Sequence, residues 1–349
     1  MKVKKIGIVS LSSGIMGENF IQHELNLGKK RLEEYGVAVE FLPHALKGLE
    51  FIKQHPECRA QDLLDAFQDD SIDMILCAIG GDDTYRLLPY LFEQDALEKV
   101  AKQKIFLGFS DTTMNHLMLH KVGIQSFYGQ AFLPDVCELS TEMLPYTKSY
   151  FEELLTTGRI KEIRPSEIWY QEREDFSEKG LGVSIPSFPN QGFELLKGNA
   201  QFSGPILGGC LESMYDCFDS STYADTVQLT QKYKLFPTLE DWNGKILLLE
   251  TSEERPSVEL YRKMIQALKQ YGIFDVVSGV LVGKPQNEIH YEEYKEVLLE
   301  ELEDKEVSIV YNINVGHATP RSIVPFGVHA QVDVDENVIR FAYNKSSRD

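Results

Sequence analysis

The sequence predicts an α/β protein of two units, and three observations carry that prediction. Continuous apolar, β-branched runs alternate with longer helical patterns through the first 130 residues. A second set of such runs begins near residue 245, and the stretch before it has no sustained periodicity. The 349 residues are enough for two domains at roughly 100 to 200 residues each, every one able to bury its own core.

Runs at 5–9, 37–42, 72–79 and 104–109 read as strands buried on both faces of a parallel sheet. The patterns at 19–35, stopped by Gly36, at 60–67 and at 84–91 read as the helices between them. This βαβα rhythm makes a doubly wound layer, in which ligands sit at the carboxyl ends of the strands. From 140 to 201, Pro145, Pro165, Pro186 and Pro189 are interleaved with Glu/Lys-rich sequence, and the stretch reads as a crossover carrying a surface loop. Strands at 245–249, 276–282 and 308–313 alternate with helices at 258–271 and 291–303. A hairpin of 328–334 and 338–341 closes this second α/β unit. The division expected is 1–145, 146–200 and 201–349.

Charge narrows the partners. The 35 Lys+Arg against 54 Asp+Glu leave a formal charge of −19, and no basic cluster exceeds Lys29-Lys30-Arg31. Such a surface repels a duplex phosphate backbone, although one small nucleotide remains acceptable. The apolar start of the chain is too short for a signal sequence, and no run is long enough to span a bilayer. Five cysteines, an odd number without C-x-x-C spacing, read as reduced thiols of a cytoplasmic protein.

Three strand ends carry unusual loops. In Gly80-Gly81-Asp82-Asp83-Thr84, paired glycines leave backbone N–H groups open to a ligand; the plainer reading is a tight turn with Asp83 or Thr84 as a helix cap. Gly108-Phe109-Ser110-Asp111-Thr112 puts a serine directly after a buried strand and before a helix at 113–121. Such an elbow exposes the hydroxyl and aims the next N–H at what it attacks. A capping role for Ser110 or Asp111 is the alternative. Thr112 replaces the second glycine of G-x-S-x-G, which disfavours an ordinary α/β-hydrolase. The third loop, Gly316-His317-Ala318-Thr319-Pro320, holds an imidazole between a flexible and a stiff residue. Glu250, after three leucines, is a carboxylate at the mouth of a buried strand, costly unless paired. Ser110, Glu250 and His317 would then supply a nucleophile, an orienting acid and a general base.

Gly80-Gly81-Asp82-Asp83-Thr84-Tyr85-Arg86, Gly-Phe-Ser-Asp-Thr-Thr, Leu248-Leu249-Glu250-Thr251-Ser252-Glu253 and Gly316-His317-Ala318-Thr319-Pro320 resemble, in this order, the LD-carboxypeptidase and microcin-C-resistance (MccF) family of serine peptidases. The resemblance spans essentially the whole chain. It implies a Ser-Glu-His triad at Ser110, Glu250 and His317, a Rossmann-like (flavodoxin-like) N-terminal domain and a C-terminal domain around a small barrel-like sheet. It further implies a cytoplasmic homodimer without metal or cofactor. Members remove a terminal D-amino acid from L,D-linked murein peptides, or cleave the amide between an aspartyl residue and a modified nucleotide. The Gly-Gly-Asp-Asp loop looks closer to the microcin-resistance branch, whose loop aromatics stack on the base; Trp169 falls where such a loop would lie, with Phe176 in place of a second tryptophan. Cys210 stands where the family's Gly-Gly-Asn-Leu turn has asparagine.

The expected substrate is a small peptide or peptidyl-nucleotide. Backbone N–H groups of Asp111 and of Gly80, Gly81 and Asp82 would meet the oxyanion, and Lys284 or Arg86 would receive a substrate carboxylate. Two rival readings are a phosphate loop like that of NAD and diacylglycerol kinases, weakened because Asp83 adds charge where phosphate should approach, and a non-catalytic binding module. His116 and His120 have zinc-ligand spacing, but a helix packed beside Ser110 explains them better.

Overall fold

Short runs of branched and aromatic side chains build the first sheet. In the computed structural model, which describes residues 3–343, β1 (Lys5–Val9), β2 (Ala38–Phe41), β3 (Met74–Cys77), β4 (Ile105–Gly108) and β5 (Ser126–Tyr128) lie parallel in the order β2-β1-β3-β4-β5. Every residue of β3 and β4 is buried, as expected for central strands covered on both faces. The order reverses between β1 and β3, so the loops after these two strands diverge and leave a crevice at their carboxyl ends. The two loops are tied to each other where Ser13 N–H donates to the Gly80 carbonyl at 3.0 Å.

The second sheet is mixed. β6 (Glu162–Ile163), β9 (Glu194–Lys197), β10 (Gln201–Cys210), β11 (Ile246–Glu250), β12 (Gly279–Gly283), β13 (Ile309–Ile313), β15 (His329–Asp333) and β16 (Val338–Ala342) run in the order β6-β16-β15-β10-β11-β12-β13-β9. The sheet curls into a half-barrel. β7 (Ile168–Tyr170) and β8 (Ser187–Pro189) form a separate hairpin. β14 (Val324–Phe326), within the stretch 201–349, pairs antiparallel with β5 and so extends the first sheet.

Three parts of the sequence reading need revision. The stretch 140–201 contains a regular helix, Pro145–Thr157, that begins with its proline in the first turn and ends at Gly158 in the left-handed region; that proline reads as a loop signal in sequence but is favoured at a helix start. β10 is absent from the sequence reading because Gly204, Pro205, Gly208 and Gly209 punctuate it. It tolerates them by changing partners midway, antiparallel to β15 over its first half and parallel to β11 over its second. The pattern at 84–91 splits into a 3-10 turn, Thr84–Leu87, and a short helix, Leu88–Phe92. All five cysteines are free thiols, and among the described residues no helix is long and apolar enough to cross a membrane.

Candidate active site

The chain leaves β4 through Phe109 in extended conformation and turns sharply at Ser110, whose φ is +66°. A non-glycine residue is strained there, and the surroundings hold it in place. Ser110 N–H donates to the Tyr128 hydroxyl at 3.1 Å, and its carbonyl accepts from Thr113 Oγ1 at 2.7 Å. Gly80 packs against the elbow so closely that a Cβ would stand 2.6 Å from Ser110 Oγ. Only glycine therefore lets the loop after β3 pass beside the hydroxyl.

Glu250 ends β11 fully buried, and each of its oxygens is used. Oε1 accepts from the Tyr128 hydroxyl at 2.5 Å, and Oε2 accepts from His317 Nδ1 at 2.7 Å and from the His317 backbone N–H at 3.1 Å. This arrangement fixes the imidazole's orientation and keeps a proton on Nδ1, as an orienting acid does. Burial by itself would lower the pKa of His317, but the carboxylates of Glu250 and Glu253 outweigh it and hold the imidazole well above its ordinary value. Gly316 lies against Glu250 with φ +86°; a Cβ there would be 2.2 Å from Oε2. Arg321 pins the loop by donating to the Gly316 and His317 carbonyls at 2.7 and 3.1 Å while paired to Asp135 at 2.9 Å.

Ser110, His317, Gly80 and Gly81 line one cavity of about 780 Å³, together with Glu253, Arg255 and, among the apolar residues, Phe20 and Phe176. The other residues singled out in the sequence lie elsewhere. Asp82 is exposed and accepts from Tyr223 at 2.8 Å. The Asp111 carboxylate is buried and accepts from Ser12 Oγ at 2.5 Å and Thr84 N–H at 2.9 Å; burial raises its pKa to about 6 against those bonds. Trp169 stacks on Phe188 at 4.7 Å. Lys284 is buried, bonded to Glu288 at 2.5 Å and Asn312 at 3.3 Å, with its ammonium 5.3 Å from the Trp169 ring centre. Neither lines the cavity. Arg86 packs over Tyr85 and Tyr223.

Asp83 does not cap a helix. It pairs with fully buried Arg59 at 2.5 Å, and the same guanidinium donates to the Leu11 and Ser12 carbonyls at 3.2 and 3.3 Å. The loop thus carries a committed ion pair where a kinase would need an open phosphate cradle. His116 bonds Ser126 Oγ and the Gly108 carbonyl through its two nitrogens and is a core residue; His120 is mostly enclosed. Among the described residues one three-donor group has metal-ligand proximity, His55, Glu57 and Cys58, outside the cavity. Sequence reasoning missed Tyr128, which ties the nucleophile elbow to Glu250; a lone tyrosine in a three-residue strand carries no signal. It also missed the partner that holds the outer nitrogen of His317, where Glu253 Oε2 lies 2.9 Å from Nε2.

Comparison with known proteins gives this site a context. Residues 6–129 match the LD-carboxypeptidase N-terminal domain and residues 203–332 match the LD-carboxypeptidase C-terminal domain. The chain belongs to the LD-carboxypeptidase family. The fold is similar to that of an MccF-like protein from Streptococcus pneumoniae in complex with AMP, with a TM-score of 0.97 and 66% identity over 98% of this chain and 100% of that one. The chain is also 27% identical to the microcin C7 self-immunity protein MccF of Escherichia coli over 80% of this chain and 77% of that protein. It is 27% identical to the probable murein peptide carboxypeptidase of Bacillus subtilis over 87% and 82% respectively.

Proposed function

We propose that the protein is a serine carboxypeptidase or amidase of the microcin-resistance type, with Ser110 as nucleophile, His317 as general base and Glu250 as the orienting acid. The observation that carries this reading is the Glu250 Oε2 to His317 Nδ1 bond of 2.7 Å at the wall of a cavity that also holds Ser110 on its strained elbow. With Nδ1 held, Nε2 takes the Ser110 proton as Oγ attacks the amide carbonyl. The oxyanion forms beside the Gly80-Gly81 loop and the Asp111 N–H, where each backbone donor contributes about 3 to 4 kcal/mol in comparable sites. The imidazolium then protonates the departing nitrogen, and water, deprotonated by the same base, releases the acyl group from Ser110.

A peptidyl-nucleotide is the preferred substrate class. The 66% identical relative is described in complex with AMP. Phe20 and Phe176, 64% and 49% exposed on the cavity wall, are ring surfaces on which a base can stack. The role first given to Trp169 passes to them. Mass-spectrometric product analysis of an aspartyl-adenylate-type amide and a murein L,D-tetrapeptide, without added metal, tests the choice. Release of the nucleotide by wild type and not by Ser110→Ala is the expected result. Ser110-dependent loss of D-alanine alone would move the protein to cell-wall peptide chemistry.

A further inference from the structure

His317 cannot accept the Ser110 proton as it stands, because Nε2 already faces Glu253 Oε2 at 2.9 Å. The imidazole lies between two carboxylates, Glu250 from β11 and Glu253 from the loop that follows it. Arg321 lies close by as well, its guanidinium committed to Asp135 and to the loop carbonyls. The two carboxylates differ in one respect that matters. Glu250 is fully buried with every oxygen bonded, whereas the Glu253 side chain is 60% exposed and has His317 as its ion-pair partner.

The backbone on either side of Glu253 is anchored. Ser252 donates through N–H and Oγ to Glu212 at 2.9 and 2.6 Å, and Arg255 N–H donates to the Ser252 carbonyl at 3.1 Å. Release of Nε2 therefore needs only a side-chain rotation by Glu253, whose carboxylate, unlike the buried imidazole, already reaches solvent. What Glu253 exchanges for is set by charge. The cavity wall also carries Glu24, Glu172, Glu174 and Glu138, the last paired with Arg173, against Arg255 and Arg321, and so stays net negative. A cation is favoured over an anion in such a cavity.

We propose that Glu253 is a specificity-determining residue: it occupies Nε2 of His317 in the free protein and is taken over by an ammonium group that the substrate bears next to the scissile carbonyl, which frees the base. Its second half rests on the amide-hydrolase reading above; its first half does not. When Glu253 moves to the ammonium group, the imidazolium loses one of its two anions and gives its Nε2 proton to solvent. The lone pair left behind is then free to take the proton of Ser110, which lines the same cavity. A substrate without that cation leaves Glu253 in place, so the serine is activated only against the intended class of acyl group.

Two sets of measurements test this. In the free protein, NMR titration of the His317 ring should give an apparent pKa lower by about one unit or more in Glu253→Gln and Glu253→Ala than in wild type, because one anion is gone. Labelling of Ser110 by a fluorophosphonate at pH 7 should rise by about tenfold in the same variants. An unchanged titration and unchanged labelling would overturn the latch, whatever the natural substrate. In a Ser110→Ala background, aspartyl sulfamoyl adenosine should bind at least about tenfold more tightly than its N-acetylated form, and Glu253→Gln should erase that difference. Equal penalties for acetylation with Glu253 and with Gln, or no binding of either compound, would overturn the transfer to ammonium. If the titration shifts while no substrate shows Ser110-dependent hydrolysis, the latch stands and the amide-hydrolase reading fails.

Discussion

Ser110→Ala should lower kcat on the peptidyl-nucleotide amide by about 10⁶-fold while leaving the fold and substrate affinity nearly intact. The size follows from how a nucleophile and its base act as one unit. Without Oγ, the proton acceptor at Nε2 and the orienting bond from Glu250 have nothing to act on, so their contributions disappear together. A residual acceleration of roughly 10³- to 10⁴-fold over water should survive, from binding and from backbone donors near Gly80-Gly81 that do not need the serine. Structure argues that the variant folds. The backbone bonds of Ser110 to Tyr128 and Thr113 do not involve its hydroxyl, and the left-handed φ is already imposed on a residue with a Cβ. Steady-state kinetics and a thermal melt on the same preparation check both halves of the expectation.

Asp83→Ala should have the largest effect on stability, about 3 to 5 kcal/mol, by stranding a buried guanidinium. Arg59 is fully buried and its Nε already lacks a partner. With Asp83 gone, the carbonyls of Leu11 and Ser12 would be its remaining partners, neutral acceptors that cannot offset a buried charge. Asp83→Asn, which keeps an acceptor in place, should cost less. Because Arg59 ties the loop after β1 to the loop after β3, activity should fall as well: these loops carry Ser12, which bonds Asp111, and Gly80, which abuts Ser110. Urea unfolding followed by tryptophan-independent circular dichroism gives the stability difference, and a loss under about 1 kcal/mol would contradict a buried, uncompensated charge.

The candidate residues at strand ends stand out in the sequence because each of them breaks a local rule. A serine directly after a buried strand, a glutamate after three leucines and a histidine between glycine and proline are all misfits; the structure sets the serine and the histidine on one cavity wall and bonds the glutamate to the histidine from behind it. The parallel sheet was legible for the converse reason, since β3 and β4 are unbroken apolar runs. What stayed hidden depends on contacts distant in sequence. Trp169 and Lys284 look like recognition residues by type, yet they satisfy each other and Glu288 away from the cavity. Glu253 sits in a Glu-Glu pair that reads as ordinary solvated loop; only the position of His317, 64 residues further along the chain (317 − 253), gives it a role. β10 was concealed by its own glycines, which serve the switch between antiparallel and parallel partners.

The central claim is that Ser110, with its base held by Glu250, forms a covalent acyl-enzyme. Rapid mixing of wild type with the aspartyl-adenylate-type amide, acid quenching within one turnover and peptide mapping by mass spectrometry test it directly. The account predicts an aspartyl adduct on the peptide containing Ser110, present early and lost as turnover proceeds. Product formation with no adduct at any time, or an adduct on another residue, would contradict it.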